Sequence, residues 1–354
     1  MTLLIKDISC TIKIVPLKRP FITALHEVDS IQAVQVKVLL SDGTIGIGAA
    51  TPNEKVTGDN LQTTQEVISS VIRPALINED FLNWNQLIFK LKKCIVHNPA
   101  AKAAVEIALY QAKANENKQS LVNLLGAEPG KVSTDYTISI GSDEQMVSEA
   151  QNLVKQGFTS LKIKLGTHSI YEDINTVEKI AQAVGPNVSL RIDCNQGWNK
   201  KQTLLASSKW SEKQLNIDFI EQPIKKDLIW DLAYLTKHSL IPIMVDESVE
   251  SFEDAIKIIN AHACDYINIK LMKTGGLSDA VKINDLAHAC GIKTMVGCMI
   301  EPVESIAAAV AFAVANKNVA FVDLDSIFMA VKDPDLDKYL KISGNQISLK
   351  QENE

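Results

Sequence analysis

The chain has 354 residues, 46% hydrophobic and 22% charged, with 36 Lys and Arg against 42 Asp and Glu and a formal net charge of −6. That length exceeds one ordinary domain and can bury a large core. The acidic balance and the lack of a basic stripe exclude a nucleic-acid grip, and no apolar run is long enough to span a membrane.

The six cysteines (Cys10, Cys94, Cys194, Cys264, Cys290, Cys298) are scattered, with no C-x-x-C pair. The first residues, Met1 to Pro16, lack the hydrophobic stretch of a signal peptide. Both features point to reduced thiols in a cytoplasmic protein.

In chain order, Ile8, Cys10, Ile12 and Ile14 alternate with other residues as a strand does. Ala33–Leu40 is a second strand, Ser41-Asp42-Gly43 a turn, and Thr44–Ala50 the return. Between the first two, Pro16–Asp29 reads as a long loop with a lid's role. Apolar residues then take helical spacing in three segments, from Leu61 to Ile72, Phe81 to Ile95 and Ala100 to Asn115. An antiparallel meander followed by helices predicts an α+β domain over residues 1–127.

After Gly126, strand and helix patterns alternate. The strands are expected to end near Ile140, Lys164, Asp193, Glu221, Asp246, Lys270, Cys298 and Asp323, with helices such as Tyr171–Val184, Ser251–Ala261 and Val303–Ala315 between them. Repetition near 25 residues is the pattern of a parallel barrel. The expected fold is α/β: a modified (β/α)8-type TIM barrel over 128–331, an N-terminal α+β capping domain, and a tail, 332–354, that packs back on that domain.

From Lys164 to Lys270, charged residues fall at strand ends with gaps of 29, 28, 25 and 24 residues. Carboxyl ends of barrel strands are where such folds build active sites. Asp193, Glu221 and Asp246 come from consecutive strands about 4.8 Å apart. Left unpaired, three such acids repel, and one takes a proton. A divalent cation relieves this, and an all-oxygen set selects a hard ion, Mg2+ first and Mn2+ second. The bland alternative for each acid is a helix cap or an ion pair with a barrel lysine.

Lys162 and Lys164 are two apart on one strand and share a face. Their proximity is expected to lower a lysine pKa and so to supply a general base. Lys270 lies across the barrel mouth. A carboxylate held between two opposed lysines could lose its α-proton to one and regain a proton from the other, which is a racemisation or epimerisation.

The motifs Lys162-Ile163-Lys164, Asp193-Cys194-Asn195, Glu221-Gln222-Pro223, Asp246-Glu247-Ser248 and Lys270-Leu271-Met272-Lys273-Thr274-Gly275-Gly276 together resemble the enolase superfamily, muconate-lactonising subgroup. The likeness covers nearly the whole chain. It implies Lys164 and Lys270 as the acid/base pair, Asp193, Glu221 and Asp246 as metal ligands, and Asn195 behind them. Asp323-Leu324-Asp325 resembles the D-x-D signature of dipeptide epimerases, in which two acids hold the substrate α-ammonium. The resemblance also implies Thr137, Lys162, Cys298 and Ile300 as substrate contacts. Members acting on L-Ala-L-Glu typically carry an arginine where this chain has His26, and Ala49 stands at another specificity position.

The expectation is therefore a Mg2+-dependent dipeptide epimerase acting on L-Ala-L-Xaa, with Xaa other than Glu. It would have a small dipeptide as its partner, neither nucleic acid nor membrane, and a homo-oligomeric assembly from family habit. The alternatives on the same scaffold are an o-succinylbenzoate synthase or an N-acylamino-acid racemase, whose substrates bring no free ammonium to Asp323 and Asp325. A non-catalytic small-molecule binder is the remaining reading, and it has no use for two opposed lysines.

Overall fold

The structure, a computed structural model, describes residues 2–24 and 27–350. Strands β1 (Ile5–Ile22), β2 (Glu27–Leu40) and β3 (Ile45–Ala50) form an antiparallel sheet in that order. Every second residue of β2 faces the core, so Val34, Val36 and Val38 are fully buried. The alanine-rich helix Pro99–Glu116 packs on this sheet. A Cβ on Gly46 or Gly48 of β3 would overlap the carbonyl oxygens of Ala108 or Ala104, so only glycine permits the approach.

Among its described residues, the loop expected over Pro16–Asp29 is mostly strand. Pro16 lies opposite Ser30, Phe21 opposite Val28 and Ile22 opposite Glu27, with a register shift between Pro16 and Phe21. On the outer side of β1, Pro16 offers only its carbonyl, which accepts Val331 N at 2.8 Å beside the Leu17–Ala330 bridge, and Pro20 sits within the register shift. His26 lies outside the described residues.

Helical turns follow at Leu61–Val67, Ile68–Ile72 and Arg73–Leu76, then Trp84–Lys93. The middle stretch is a π-turn. Pro74, without an N–H, cannot extend the regular ladder just beyond it.

The second half begins with β4 (Lys131–Ser133). Then come β5 (Tyr136–Ile138), β6 (Ser160–Lys164), β7 (Ser189–Asp193), β8 (Ile217–Glu221), β9 (Ile243–Val245), β10 (Tyr266–Lys270), β11 (Lys293–Gly297) and β12 (Val319–Asp323). Strands β5 to β12 make one sheet in sequence order, and each paired neighbour is parallel. The sheet curls until its edges nearly meet: Asp135 N donates to the Val322 carbonyl at 3.2 Å, and Leu324 N to Thr134 Oγ1 at 2.8 Å. Helices fill the crossovers, and Ser142, Ser169, Asn199 and Ser251 cap four of them with side-chain oxygens. Beyond β12 a single turn, Ser326–Met329, stands where an eighth helix would be. The expected α/β barrel with its N-terminal cap is thus the observed architecture.

The strand ends differ slightly from expectation. The first barrel strand stops at Ile138 rather than Ile140, while Asp246 and Cys298 each lie one residue beyond their strands. In the tail, β13 (Leu340–Ser343) and β14 (Gln346–Leu349) form a hairpin that pairs with β4. Asp333 and Asp335, upstream of it, bind Lys13 of β1 at 2.8 and 3.1 Å. Among the described residues no helix is long and apolar enough to cross a membrane.

Candidate active site

Strand register places the charged residues on common rungs. Lys164 lies opposite Asp193, and Asp193 opposite Glu221. On the far side Lys270 lies opposite Gly297, and Gly297 opposite Asp323. The barrel below is filled by Phe219, Met244 and Met295, with Phe321 packed against them. The Arg191 guanidinium rests 5.1 Å from the Phe321 ring and donates to Asp135 at 2.7 Å. The strand-end groups lie above this floor, at the carboxyl ends of the strands, where such barrels build their sites.

In that layer the acids and lysines are interleaved. Lys162, 1% exposed, lies 2.8 Å from Asp323, 2.8 Å from Glu221 and 3.0 Å from Asp193. Lys164 donates to Asp193 at 2.6 Å and to Asn195 Oδ1 at 3.0 Å. Across the mouth, Lys270 donates to Asp246 Oδ2 at 2.8 Å, and Lys273 reaches Asp246 Oδ1 at 2.5 Å. Thr137 N donates to Asp325 Oδ2 at 2.6 Å.

Burial and charge set the protonation of each group. Burial would raise Asp193, but the ammoniums of Lys162 and Lys164 hold it at about 2. Against the same burial, Lys270 and Lys273 hold Asp246 far below the usual carboxylate range. Glu221 is pushed up to about 7 by burial and by Asp193. Asp325 is likewise pushed up to about 7 by burial and by Asp323, while Lys162 holds Asp323 down against burial. The expected mutual lowering of the paired lysines does not hold for Lys162: burial favours the neutral amine, yet Asp193, Asp323 and Glu221 outweigh it and raise the pKa. Lys270 is raised in the same way by Asp246.

The Asp193, Glu221 and Asp246 carboxylates fit a hard divalent cation. All three are at most 2% exposed and offer only oxygen. Lys162 approaches Glu221 Oε2 off the hydrogen-bonding direction, so that buried oxygen has no hydrogen-bond partner. By mutual distance the tightest acidic trio among the described residues is a different one, Asp135, Asp323 and Asp325, with oxygens within 4.8 Å of one another. That trio already has its countercharges in Arg191 and Lys162. The Asp193 trio is likewise countered by lysines: Lys162, Lys164, Lys270 and Lys273.

The expected residues Thr137, Lys162, Lys164, Asn195, Asp246, Lys270, Cys298, Ile300, Asp323 and Asp325 line one cavity. Asp193 and Glu221 lie just beneath it, ion-paired with its lysines. Cys194, the residue after β7, stays buried among apolar residues and does not line the cavity.

Several groups had no role in the sequence reading. Glu247 lines the cavity and is pushed up to about 7 by burial and Asp246, while Asn195 and Gln196 donate to it at 3.4 and 3.3 Å. Asn268 donates to Glu221 at 2.7 Å, and it sits two residues before Lys270, where period-two counting on the strand finds it. A Cβ on Gly297 would come 2.6 Å from Asn268 Oδ1, so the missing side chain makes room for this bond. Gln222 Oε1 accepts the N–H groups of Asp246 and Ser248 at 3.0 and 3.1 Å, steadying the Asp246 loop. Phe21, Thr23, Asn53 and Val56 roof the cavity from the N-terminal half; Phe21 and Thr23 fall in the segment expected to act as a lid, while no local sequence signal marks Asn53 and Val56.

Both halves of the chain match known protein families. Residues 7–126 match the mandelate racemase/muconate lactonizing enzyme N-terminal domain, and residues 145–352 match the enolase C-terminal domain-like family. The chain is 39% identical over 335 residues to an L-Ala-D/L-Glu epimerase of Bacillus subtilis, covering 95% of this chain and 91% of that one. A substrate-liganded structure of the L-Ala-D/L-Glu epimerase from Bacillus subtilis superposes with a TM-score of 0.95 at 38% identity, covering 98% and 96% of the two chains. A dipeptide epimerase from Enterococcus faecalis, complexed with Mg and the dipeptide L-Leu-L-Tyr, superposes with a TM-score of 0.92 at 34% identity over 99% and 98%. Across both halves, the chain belongs to the mandelate racemase/muconate lactonizing enzyme family of the enolase superfamily.

Proposed function

We propose that this protein is a Mg2+-dependent dipeptide epimerase that inverts the α-carbon of the C-terminal residue. The observation that carries the reading is the pair of lysines, Lys164 and Lys270, on opposite sides of one buried cavity that also holds Asp323 and Asp325. The names of the relatives, epimerases of dipeptides, support the same chemistry.

Asp193, Glu221 and Asp246 would hold the cation, which supplies charge stabilisation for the substrate carboxylate as the α-proton leaves. One lysine, as the neutral amine, takes that proton and becomes an ammonium. The other, already an ammonium, returns a proton to the opposite face of the carbanion and becomes neutral. Lys162 and Lys270 are held charged by the same carboxylates that would bind the cation, so engaging those carboxylates withdraws the force that keeps a base protonated. Asp323 and Asp325 take the α-ammonium, which fixes the α-carbon between the lysines. Lys162 stands near both groups of acids and orients the carboxylate end.

An o-succinylbenzoate synthase or N-acylamino-acid racemase would bring no ammonium to the Asp323–Asp325 pair, whose second member is poised near neutrality. The test is incubation with Mg2+ and a dipeptide panel in D2O, with mass spectrometry of the α-position. Deuterium should enter the C-terminal residue, and both epimers should appear. No exchange in any dipeptide removes the epimerase reading.

A further inference from the structure

The segment Lys270-Leu271-Met272-Lys273-Thr274-Gly275-Gly276 ends in two glycines that the proton-transfer chemistry does not use. After Lys270 it forms one helical turn, Leu271–Thr274, and helix Leu277–Ala289 follows; the two glycines make the bend between them. Both have positive φ, 75° and 125°. A Cβ on Gly276 would come 2.6 Å from Cδ of Glu106, and one on Gly275 would lie 3.4 Å from the Lys92 ammonium. Glu106 and Lys92 belong to helices Pro99–Glu116 and Trp84–Lys93 of the N-terminal half. The bend is bare where that half presses a charged pair against it.

That pair grips both sides of the bend. Glu106, fully buried, accepts the N–H of Ser278 at 2.6 Å. The first N–H groups of a helix have no partner within it, and Gly276 has no side chain to cap them, so a carboxylate from another helix takes that part. Lys92 donates to the Gly275 carbonyl at 2.7 Å, at the end of the preceding turn, and lies 2.8 Å from Glu106 and 3.1 Å from Asp279. The turn fixed in this way starts directly after Lys270. It also carries Lys273, which binds Asp246 Oδ1 at 2.5 Å and the Asn268 carbonyl at 3.1 Å. Lys270 and its carboxylate partner Asp246 are thus both tied to a turn that the other half of the chain clamps.

We propose that Glu106, paired with Lys92, is a positioning residue for Lys270: it sets where the Lys270 ammonium stands over the substrate α-carbon without touching the substrate itself. The proposal rests on the dipeptide epimerase reading. In that reading Lys270 faces one side of the α-carbon and Lys164 the other. Lys164 ends β6, and its bonds to Asp193 and Asn195 involve no part of the clamp. Loosening the clamp displaces one of the two lysines. A misplacement of about 1 Å costs proton transfer about a hundredfold in rate. The loss then falls unequally on the two faces, which a general weakening of the fold does not do.

The test is α-proton exchange in D2O with saturating Mg2+, started from each epimer separately, for Glu106→Ala, Glu106→Gln and Lys92→Met. Glu106→Ala and Lys92→Met should lower kcat by about tenfold or more from the epimer whose exchange Lys270→Ala abolishes, and by less than about twofold from the other. KM for both epimers should hold within about twofold. Glu106→Gln keeps an acceptor for the Ser278 N–H and should recover part of the loss. Lys92 is the partly exposed end of the pair, so Lys92→Met carries the test if Glu106→Ala does not fold. Equal slowing from both epimers overturns the proposal, because a purely structural role gives that result. Unchanged exchange from both epimers in the folded variants overturns it as well. Either result leaves the epimerase reading standing, since the unaltered protein still exchanges. No exchange by the unaltered protein with any dipeptide overturns the epimerase reading and this proposal with it.

Discussion

Asp325 accepts the backbone N–H of Thr137 at 2.6 Å, and this bond joins the loop after the last barrel strand to the first strand. The same carboxyl is pushed up to about 7 by burial and by Asp323 beside it. An arriving ammonium favours the ionised acid, so binding should expel a proton from the fraction still protonated. The sign follows: the dissociation constant of a dipeptide should fall as pH rises from about 5.5 to 7.5, by about tenfold. Calorimetry in two buffers of different ionisation enthalpy would register the released proton. Asp325→Asn should bind more weakly and lose this pH dependence.

Lys164 and Lys270 are expected to fail differently from their neighbours. Lys164→Ala and Lys270→Ala should each slow epimerisation by about a hundredfold or more, the range of a lost general acid or base. Each variant should retain Mg2+ binding. Exchange of the α-proton should survive from only one epimer in each, and from opposite epimers in the two. Proton NMR in D2O, starting from separate epimers, reads this directly.

Lys162 lies within 3.0 Å of Asp193, Glu221 and Asp323, and all four groups are buried. Lys162→Met removes the countercharge from three carboxylates at once. In chelated protein it should cost about 3–5 kcal/mol of stability, the penalty for breaking a buried ion network. Added Mg2+ should restore part of that loss by binding the freed acids. Thermal melts with and without chelator test both halves. Chelation of the unaltered protein should abolish exchange, and Mg2+ should return it.

Lys13 on β1 ties the N-terminal sheet to the barrel through Glu304, Asp333 and Asp335 at 2.8, 2.8 and 3.1 Å. Burial opposes its charge, but hydrogen bonds to Asp333 and Glu304 win and raise its pKa. A raised lysine stabilises below its unfolded pKa and loses that contribution only as pH rises through the folded value, so the tie holds throughout the neutral range. Lys13→Met leaves Glu304 buried without its cation and should destabilise the protein by about 3 kcal/mol. It should also raise KM more than it lowers kcat, because Phe21 further along β1 roofs the catalytic cavity. Denaturant melts and steady-state kinetics check the two effects.

Periodicity alone was enough for much of this. The recurrence of Lys164, Asp193, Glu221 and Lys270 at strand ends shows in the sequence because a barrel strand has a two-residue side-chain period and one mouth. The structure bears out that phase, with Lys164, Asp193 and Glu221 on one rung and Lys270 and Asp323 on another. Asn268 was legible by the same rule. Pro16–Asp29 was not: two prolines read as a loop, yet Pro16 spends only its carbonyl on the outer side of β1, accepting Val331 N, and Pro20 sits within the register shift.

Tertiary structure decided what the sequence left open. The closeness of Lys162 and Lys164 was expected to lower a lysine pKa, but three carboxylates from three other strands surround Lys162, and their summed attraction raises it. No local pattern announces that sum, because it depends on distances across the barrel rather than along the chain. Asn53 and Val56 likewise carry no motif. They reach the side of Met299 and Ile300 only because the N-terminal half folds over the barrel mouth. Strand period determined which residues face the centre; packing of one half on the other decided which charges those residues meet.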